Sequence, residues 1–498
     1  MTYKQICQIM SYGGDDRILL DTKKNLNKYN TAPFFTQNKI LRSSCTSINP
    51  SLKSFLKAEA LYEEFKDAAA RGDEIIFFCE KFRAIRKELR KILAINGSEY
   101  FMILTPSGTD SEIYLTISAL QKHVRMYKTW DDLPRVLNIL TSEGEIGEAS
   151  SLAAALKYPG KFTPIGTKEV CKGDTILGFD DNAIDVLTFR CRDICGLPVS
   201  KEKLESNIHE AIKKAIQKKQ KIILHQVYFS KTGMKNPDSD FIEKMSNRYK
   251  DIDIVVDACQ FRCSKEEIQV FLRKGYIVLL TGSKFMSGPP FSGLIIFPEK
   301  ALSPAVLENH FLQHCSDYFT PYEFDDKLTS WRSQLNNNSN LGLLLRWTAA
   351  MVNIQSYYKI ETNLIKHILQ YWVCGIKNLI NSSEYLQTFD LGTDPYEHGI
   401  VSFICVDPVL KQKLTIEKLR NLYQKLSLDE CIIGQPVSVA QDYGVLRICM
   451  GASLILEIFD DYCLTDQSQK SLSRIIQDKL SEDKIIINKL DLILSKSI

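Results

Sequence analysis

Short apolar runs alternate with segments of helical length through the middle of the chain. The runs cover residues 101–104, 136–140, 222–229, 252–256, 276–280 and 294–297. Strands that are apolar throughout are typical of a sheet buried on both faces, and their alternation with helices is typical of a mostly parallel sheet. This part of the chain therefore predicts an α/β domain whose sheet is covered by helices.

Helical spacing prevails on either side of this region. Apolar residues recur at helical intervals between Leu52 and about Ile95, with a break at Gly72-Asp73, so two helices are expected there. The pattern is helical again over 341–380, and strands follow near 400–406 and 445–450 with a helix between them. We predict an irregular N-terminal arm (1–50), a large domain (51–310), and a helical linker with a smaller α+β domain (311–498).

Composition and charge exclude several classes of protein. The 498 residues include 44% hydrophobic and 25% charged residues, which is ordinary for a globular protein. Sixty-three Lys plus Arg against sixty Asp plus Glu leaves a net charge of +3, which gives no general attraction to nucleic acid or to an anionic membrane. The first residues lack the apolar core of a signal peptide, and no stretch approaches the ~18 apolar residues of a membrane span.

Cysteine and histidine spacing gives no metal site. The fourteen cysteines are scattered, and the pairs Cys191/Cys195 and Cys259/Cys263 have three intervening residues where a zinc knuckle usually has two. His310 and His314 share one predicted helix face without a third ligand nearby. Reduced thiols and a cytoplasmic location are expected.

A turn of small residues follows the first apolar run of the predicted sheet. It reads Thr105-Pro106-Ser107-Gly108-Thr109-Asp110 and leads into a predicted helix over 111–121. Free backbone N–H groups and the helix dipole at such a turn favour a phosphate. A plain helix cap is the alternative interpretation.

Two further runs end in residues that can do chemistry. Asp257 follows the run 252–256, and Lys284 lies between the run 276–280 and a Gly/Pro-rich turn. A carboxylate at the end of a buried strand requires a cationic partner or serves as a helix cap. A desolvated lysine amine is a good nucleophile toward carbonyl groups.

The order, spacing and strand context of the small-residue turn, Asp257 and Lys284 resemble the fold type I pyridoxal 5′-phosphate (PLP) enzymes. The Asp-x-x-Gln and Ser-Lys pattern is most similar to the class V aminotransferase and cysteine desulfurase branch. The resemblance covers the central half of the chain clearly and the C-terminal part loosely. It implies a sheet of the seven-stranded type, PLP as cofactor, an arm over 1–50 that faces the substrate, and a homodimer.

The resemblance also implies roles for individual residues. Lys284 would form the Schiff base with the cofactor, and Asp257 would keep the ring nitrogen protonated so that the ring can accept electrons. The other implied cofactor contacts are Gln260 and Ser230 near the ring hydroxyl, and Ser107, Gly108, Thr109 and Ser283 near the phosphate.

Arg447 resembles the arginine with which class V relatives bind the substrate α-carboxylate, because a guanidinium matches a carboxylate in two hydrogen bonds. The alternative is a surface arginine on an edge strand. Arg262 and Arg332 stay open as further candidates, and the polar stretch 336–340 is a candidate for completing the site of a neighbouring subunit.

The sequence departs from the family at two points. Relatives usually stack a His or an aromatic ring on the cofactor, but the corresponding loop, 142–150, contains neither, so Glu148 or a residue from elsewhere must occupy that face. A desulfurase also needs a mobile, exposed cysteine, for which Cys315 is the candidate.

These observations predict a PLP-dependent enzyme that acts at the Cα of an amino acid. Aminotransferase is the first expectation. A lyase, a desulfurase or a decarboxylase remains open, as does a regulatory or binding protein that has kept the fold and lost turnover.

Overall fold

The computed structural model describes residues 3–35, 39–45, 48–127, 135–302, 311–429 and 431–496. Its first elements are α1 (Tyr3–Met10), β1 (Ile40–Arg42), α2 (Leu52–Arg71) and α3 (Glu74–Leu93). Helix α2 ends at the predicted break, where Gly72 has a φ of +77° and its N–H donates to the carbonyl of Ala69. Glycine adopts this left-handed conformation at low cost.

A large sheet and its helices occupy the middle of the chain. The elements are β2 (Tyr100–Thr105), α4 (Ser111–Tyr127), β3 (Val136–Glu143), α5 (Ser150–Ala154), β4 (Ile184–Arg190), α6 (Lys201–Gln217), β5 (Lys221–Tyr228), β6 (Lys235–Asn236), α7 (Ser239–Arg248), β7 (Ile252–Asp257), α8 (Lys265–Arg273), β8 (Ile277–Thr281) and β9 (Gly293–Pro298). Seven strands follow the order β2-β9-β8-β7-β5-β3-β4, and the short β6 pairs with β5. Six of these seven strands run in the same direction, and β9 runs in the opposite direction. The predicted α/β fold class is confirmed.

Burial explains which of these strands the sequence revealed. Strands β5, β8 and β9 are buried at every position, so they consist largely of apolar residues. Strand β4 forms the edge of the sheet beside β3, and its side chains are only partly buried. Asp185, Thr188 and Arg190 interrupt its apolar pattern, and for that reason the apolar runs did not predict it.

A second sheet follows in the C-terminal part. The elements of this part of the chain are α9 (Thr329–Arg332), α10 (Leu341–Tyr357), α11 (Thr362–Asn381), β10 (Leu386–Thr388), α12 (Pro395–His398), β11 (Ile400–Cys405), α13 (Ile416–Leu428), β12 (Cys431–Ser438), β13 (Gly444–Cys449), α14 (Ala452–Cys463) and α15 (Gln469–Ser495). The strand order is β1-β12-β13-β11-β10. Strand β1 runs parallel to β12, so part of the N-terminal arm belongs to this sheet.

Hydrophobic cores cover both faces of the large sheet. Met102 and Leu104 of β2 point to a core shared with α3 and α10, whereas Phe101 and Ile103 point to a core shared with α4. This alternation follows from the two-residue period of a strand. In the described part of the chain, no helix is long and apolar enough to cross a membrane.

Candidate active site

One cavity lies at the carboxyl ends of β7 and β8, against the turn that follows β2. Ligands of open α/β sheets bind at this edge. The nine residues to which the sequence analysis assigned a cofactor or substrate contact all line this cavity, namely Ser107, Gly108, Thr109, Ser230, Asp257, Gln260, Ser283, Lys284 and Arg447. The structure therefore brings together side chains that are up to 340 positions apart in the sequence (107 to 447). Their individual roles remain predictions.

The central strands position Asp257 and Lys284. Asp257 is the last residue of β7, and its Oδ1 accepts a hydrogen bond from the backbone N of Cys259 at 3.1 Å. Lys284 begins a short 3-10 helix three residues after β8 and has a φ of +54°. A left-handed conformation at a non-glycine residue costs about 1–2 kcal/mol. Such strain persists where the surrounding structure fixes the backbone, and it is common at functional sites.

The turn before α4 is held together from inside. Ser107 Oγ donates to Asp110 Oδ2 at 2.7 Å and accepts from the backbone N of Asp110 at 3.1 Å. Burial, together with the charge of Asp15, raises the pKa of Asp110 to about 7. A Cβ on Gly108 would lie 2.7 Å from Cys259 Sγ, so the turn approaches the end of β7 as closely as a glycine allows. The Ser107 hydroxyl thus shapes a narrow cradle at a helix N-terminus.

Ser230 and Gln260 are engaged with other protein groups. Ser230 Oγ donates to Glu145 Oε2 at 2.5 Å and accepts from two backbone N–H groups of its own loop. Gln260 Oε1 lies 3.4 Å from Ser44 Oγ, which donates to it. Ser230 therefore stabilises its loop, and Gln260 connects the cavity to the N-terminal arm.

A buried ion pair that the sequence analysis missed supports the loop of Ser230. Arg192 donates to the carboxylate of Glu145, to Thr232 Oγ1 at 3.0 Å and to the backbone O of Leu391 at 2.8 Å. Burial acts to raise the pKa of Glu145, but the Arg192 charge and the hydroxyls of Ser230 and Thr232 outweigh it and hold the pKa below its usual range. The pair links the cavity wall to the residues just after β10.

Arg447 lies on β13, a central strand of the second sheet, and its side chain is buried. The alternative of a surface arginine on an edge strand is therefore wrong. Its Nε and Nη2 donate to the backbone O of Gln435 at 3.1 and 2.7 Å, and its Nη1 donates to the backbone O of Lys231 at 2.7 Å. These carbonyl groups fix the plane of the guanidinium at the cavity wall.

Further ionisable residues that the sequence analysis did not assign line the cavity, among them Arg17, Tyr29, Glu112 and Lys231. Arg17 comes from the N-terminal arm, lies 4.6 Å from the centre of the Phe291 ring and pairs with Asp15. Burial and the charge of Arg447 lower the pKa of Lys231 to about 8. Glu112 lies in the first turn of α4, where acidic residues are common in any helix, so no sequence feature distinguished it.

The loop between β3 and α5 contributes Ile146 and Glu148 to the cavity. The sequence analysis named Glu148 as a candidate for the cofactor face, and that role remains a prediction. Glu148 lies near Lys231, on which its charge acts.

The remaining candidates lie apart from this cavity. Arg262 donates to backbone O atoms of His398 and Met450, and Arg332 pairs with Asp326 at 3.1 Å. Cys315 is fully buried in the core beside α4, and burial raises the pKa of its thiol, so it is neither exposed nor reactive. His310 lies outside the described residues, and His314 packs against Phe179.

Asn340, within the polar stretch proposed for a subunit boundary, caps α10. Its Oδ1 accepts from the backbone N of Leu343 at 2.9 Å, and its Nδ2 donates to the backbone O of Gly13 at 3.2 Å. At least this residue therefore has a structural role within its own chain.

Comparison with known proteins gives structural similarity without sequence similarity. No family model matches the chain, and no curated protein sequence matches it. Oryza sativa TDC with PLP superposes with a TM-score of 0.54 at 10% identity, over 94% of this chain and 85% of that chain. Catharanthus roseus tryptophan decarboxylase in complex with L-tryptophan gives 0.51 at 13% identity, over 91% and 84%. Rhodiola rosea 4-hydroxyphenylacetaldehyde synthase gives 0.51 at 11% identity, over 92% and 85%.

These similarities show the fold. The chain has the fold type I architecture of PLP-dependent enzymes, as the resemblance in its sequence predicted. The narrower assignment to the class V branch remains a prediction.

Proposed function

We propose that this protein is a PLP-dependent enzyme that acts at the Cα of an amino acid. The observation that carries the proposal is a single cavity that contains Lys284, Asp257 and a small-residue turn at the N-terminus of α4. Lys284 would bind the aldehyde carbon of the cofactor, Asp257 would contact the ring nitrogen, and the turn would contact the phosphate. The structures that share the fold support the cofactor, since one of them was solved with PLP.

The residues present fit this cofactor. Ser107, Gly108 and Thr109 line the cavity just before α4, where hydroxyl groups and the backbone N–H groups of a helix N-terminus favour an anion. When bound, PLP supplies an electron sink for the charge that develops at the substrate Cα. Asp257 would hold the proton on the ring nitrogen. Lys284 would hold the cofactor covalently and, once freed by the substrate amine, would move the proton at Cα.

Aminotransfer is the first candidate reaction because of Arg447. A guanidinium that binds the α-carboxylate in two charge-assisted hydrogen bonds stabilises its negative charge. In decarboxylation the charged carboxylate leaves as neutral CO₂. Hydrogen bonds that stabilise the charged carboxylate therefore oppose this reaction. A lyase reaction, which retains the carboxylate, is compatible with the same contact.

Decarboxylation is the second candidate. One of the proteins with the same fold is named tryptophan decarboxylase, and its structure holds L-tryptophan. A desulfurase is disfavoured because Cys315 is buried in a core.

Absorption spectroscopy of the purified protein with PLP and each of the twenty amino acids tests the proposal. We expect a cofactor band that shifts with at least one amino acid and is lost in Lys284→Ala. Formation of an amino acid from an added 2-oxo acid identifies an aminotransferase, and release of CO₂ identifies a decarboxylase. A band that no amino acid shifts indicates a binding protein, and the absence of any band at saturating PLP contradicts the proposal.

A cytoplasmic location and a homodimer complete the proposal. None of the fourteen cysteines, all of which lie in described segments, forms a disulfide, which agrees with a reducing compartment.

A further inference from the structure

Two buried ionisable side chains on which the charge of Asp257 acts belong to none of the roles assigned above. Glu112 is in the first turn of α4, and His225 is on β5. Glu112 Oε2 and His225 Nε2 are 3.4 Å apart, and both side chains are almost fully buried. Within the described structure, neither atom has a hydrogen-bond partner. Each of the two orphaned atoms therefore has the other as its nearest possible partner.

One proton between Glu112 Oε2 and His225 Nε2 would give both atoms a hydrogen-bond partner. Burial, and after it the charge of Asp257, raises the pKa of Glu112 well above its usual range. Burial lowers the pKa of His225 to about 4. These two directions favour a proton on the carboxyl group of Glu112 and a neutral imidazole at His225, whose Nε2 can accept that proton in a hydrogen bond.

The surroundings make Asp257 the group that this pair affects. The charge of Asp257, on β7, acts on both Glu112 and His225, and the other titratable neighbour is the thiol of Cys259. On the β3 side, Thr141 donates to the backbone O of His225 and carries no charge. Glu112 also lines the cavity. If Glu112 lost its proton, two carboxylates would share one buried site, and such pairs take up a proton.

We propose that Glu112 and His225 are positioning residues that share one proton, so that Asp257 is the ionised member of this buried group of three. This inference rests on the proposed function, because the partner of Asp257 is the ring nitrogen of the cofactor. An ionised Asp257 keeps that nitrogen protonated. A second negative charge, on Glu112, would change the charge balance on which that contact depends.

The first test uses the protein without added cofactor. Nuclear magnetic resonance of protein labelled at the histidine imidazoles, with His225 identified by comparison with His225→Gln, reports the charge of this side chain. We expect a neutral imidazole throughout pH 5.5–8, and Glu112→Gln should leave it neutral because the amide can donate to the same nitrogen. An imidazolium between pH 6 and 7 would overturn the inference, since it would make the two groups an ion pair.

The second test follows the absorption of bound PLP as a function of pH. We expect the wild-type protein to show a transition at alkaline pH, where Glu112 loses its proton beside Asp257, and Glu112→Gln to lack it while the dissociation constant for PLP stays within about twofold. Glu323→Gln is the matched control, because Glu323 is also fully buried with a raised pKa but lies outside the cavity lining. It should leave the transition unchanged.

An identical pH profile in Glu112→Gln and the wild type would contradict the inference. Failure of the wild type to bind PLP at all would refute the proposed function instead. The imidazole measurement needs no cofactor, so it separates the two outcomes.

Discussion

Because Gly108 has no side chain, the turn before α4 can pack closely against Cys259 and Thr281. Replacing Gly108 by Ala puts a Cβ 2.7 Å from Cys259 Sγ and 3.2 Å from Thr281 Cγ2. Overpacking of this kind costs about 1–3 kcal/mol. We predict that Gly108→Ala lowers the melting temperature and raises the dissociation constant for PLP, both measurable by calorimetry.

Cys259→Ala supplies the control for this prediction. It removes the atom with the closest contact, so Gly108→Ala/Cys259→Ala should recover part of the loss, and the two changes should be non-additive. Strict additivity would show that the cradle is not limited by this contact.

Arg447 carries the prediction about substrate recognition. Charge-assisted hydrogen bonds to the α-carboxylate contribute about 1.5–3 kcal/mol, so Arg447→Ala should raise KM by roughly 10- to 150-fold. Arg447→Lys keeps the charge without the planar fork and should recover part of the loss. Steady-state kinetics with the best amino acid measures both effects.

Arg332→Gln is the control for Arg447, because Arg332 pairs with Asp326 away from the cavity. It should leave KM unchanged. If Arg447→Ala does the same, the α-carboxylate is held elsewhere, and Arg17, which lines the same cavity, is the next arginine to test.

The loop between β3 and α5 depends on the ion pair of Glu145 and Arg192. Removing one partner of a buried pair costs about 3–5 kcal/mol, so Glu145→Gln should lower the free energy of unfolding by that amount in urea denaturation. Glu143→Gln is the matched control, since its pair with Arg190 is exposed with atoms 3.6 Å apart and should contribute less than about 1 kcal/mol. Equal effects of the two substitutions would contradict this account.

The ion pair of Glu145 and Arg192 also makes the free energy of unfolding depend on pH. The pKa of Glu145 in the folded protein lies below its usual range, so its stabilising contribution is complete above the unfolded-state value of about 4.3. It is lost as the pH falls through the lower folded-state value. Glu145→Gln should therefore lose less stability than the wild type below pH 4.

Apolar runs predicted the buried strands because burial on both faces leaves little choice of residue. They missed β4, whose edge position admits Asp185 and Arg190, and β1, whose three residues pair with β12 almost 400 positions later. The spacing of Asp257 and Lys284 predicted the floor of the cavity. Arg17 and His225 could not be predicted, because tertiary packing brings Arg17 of the arm to the cavity and His225 of β5 to Glu112.

At the scale of the whole molecule, the resemblance to fold type I enzymes implies a homodimer. We predict that analytical ultracentrifugation at micromolar concentration gives twice the mass of the chain. A monomer with full activity under the same conditions would contradict this, and the cavity of one chain would then be sufficient for function.

The covalent attachment of PLP to Lys284 is the central claim, and reductive trapping tests it most directly. Borohydride treatment of the protein with PLP, followed by digestion and mass spectrometry, should place the reduced cofactor on the peptide that contains Lys284. Lys231→Ala is the matched control, because Lys231 lines the same cavity with a pKa of about 8, and it should retain the adduct. An adduct on Lys231, or one that persists in Lys284→Ala, would contradict the account.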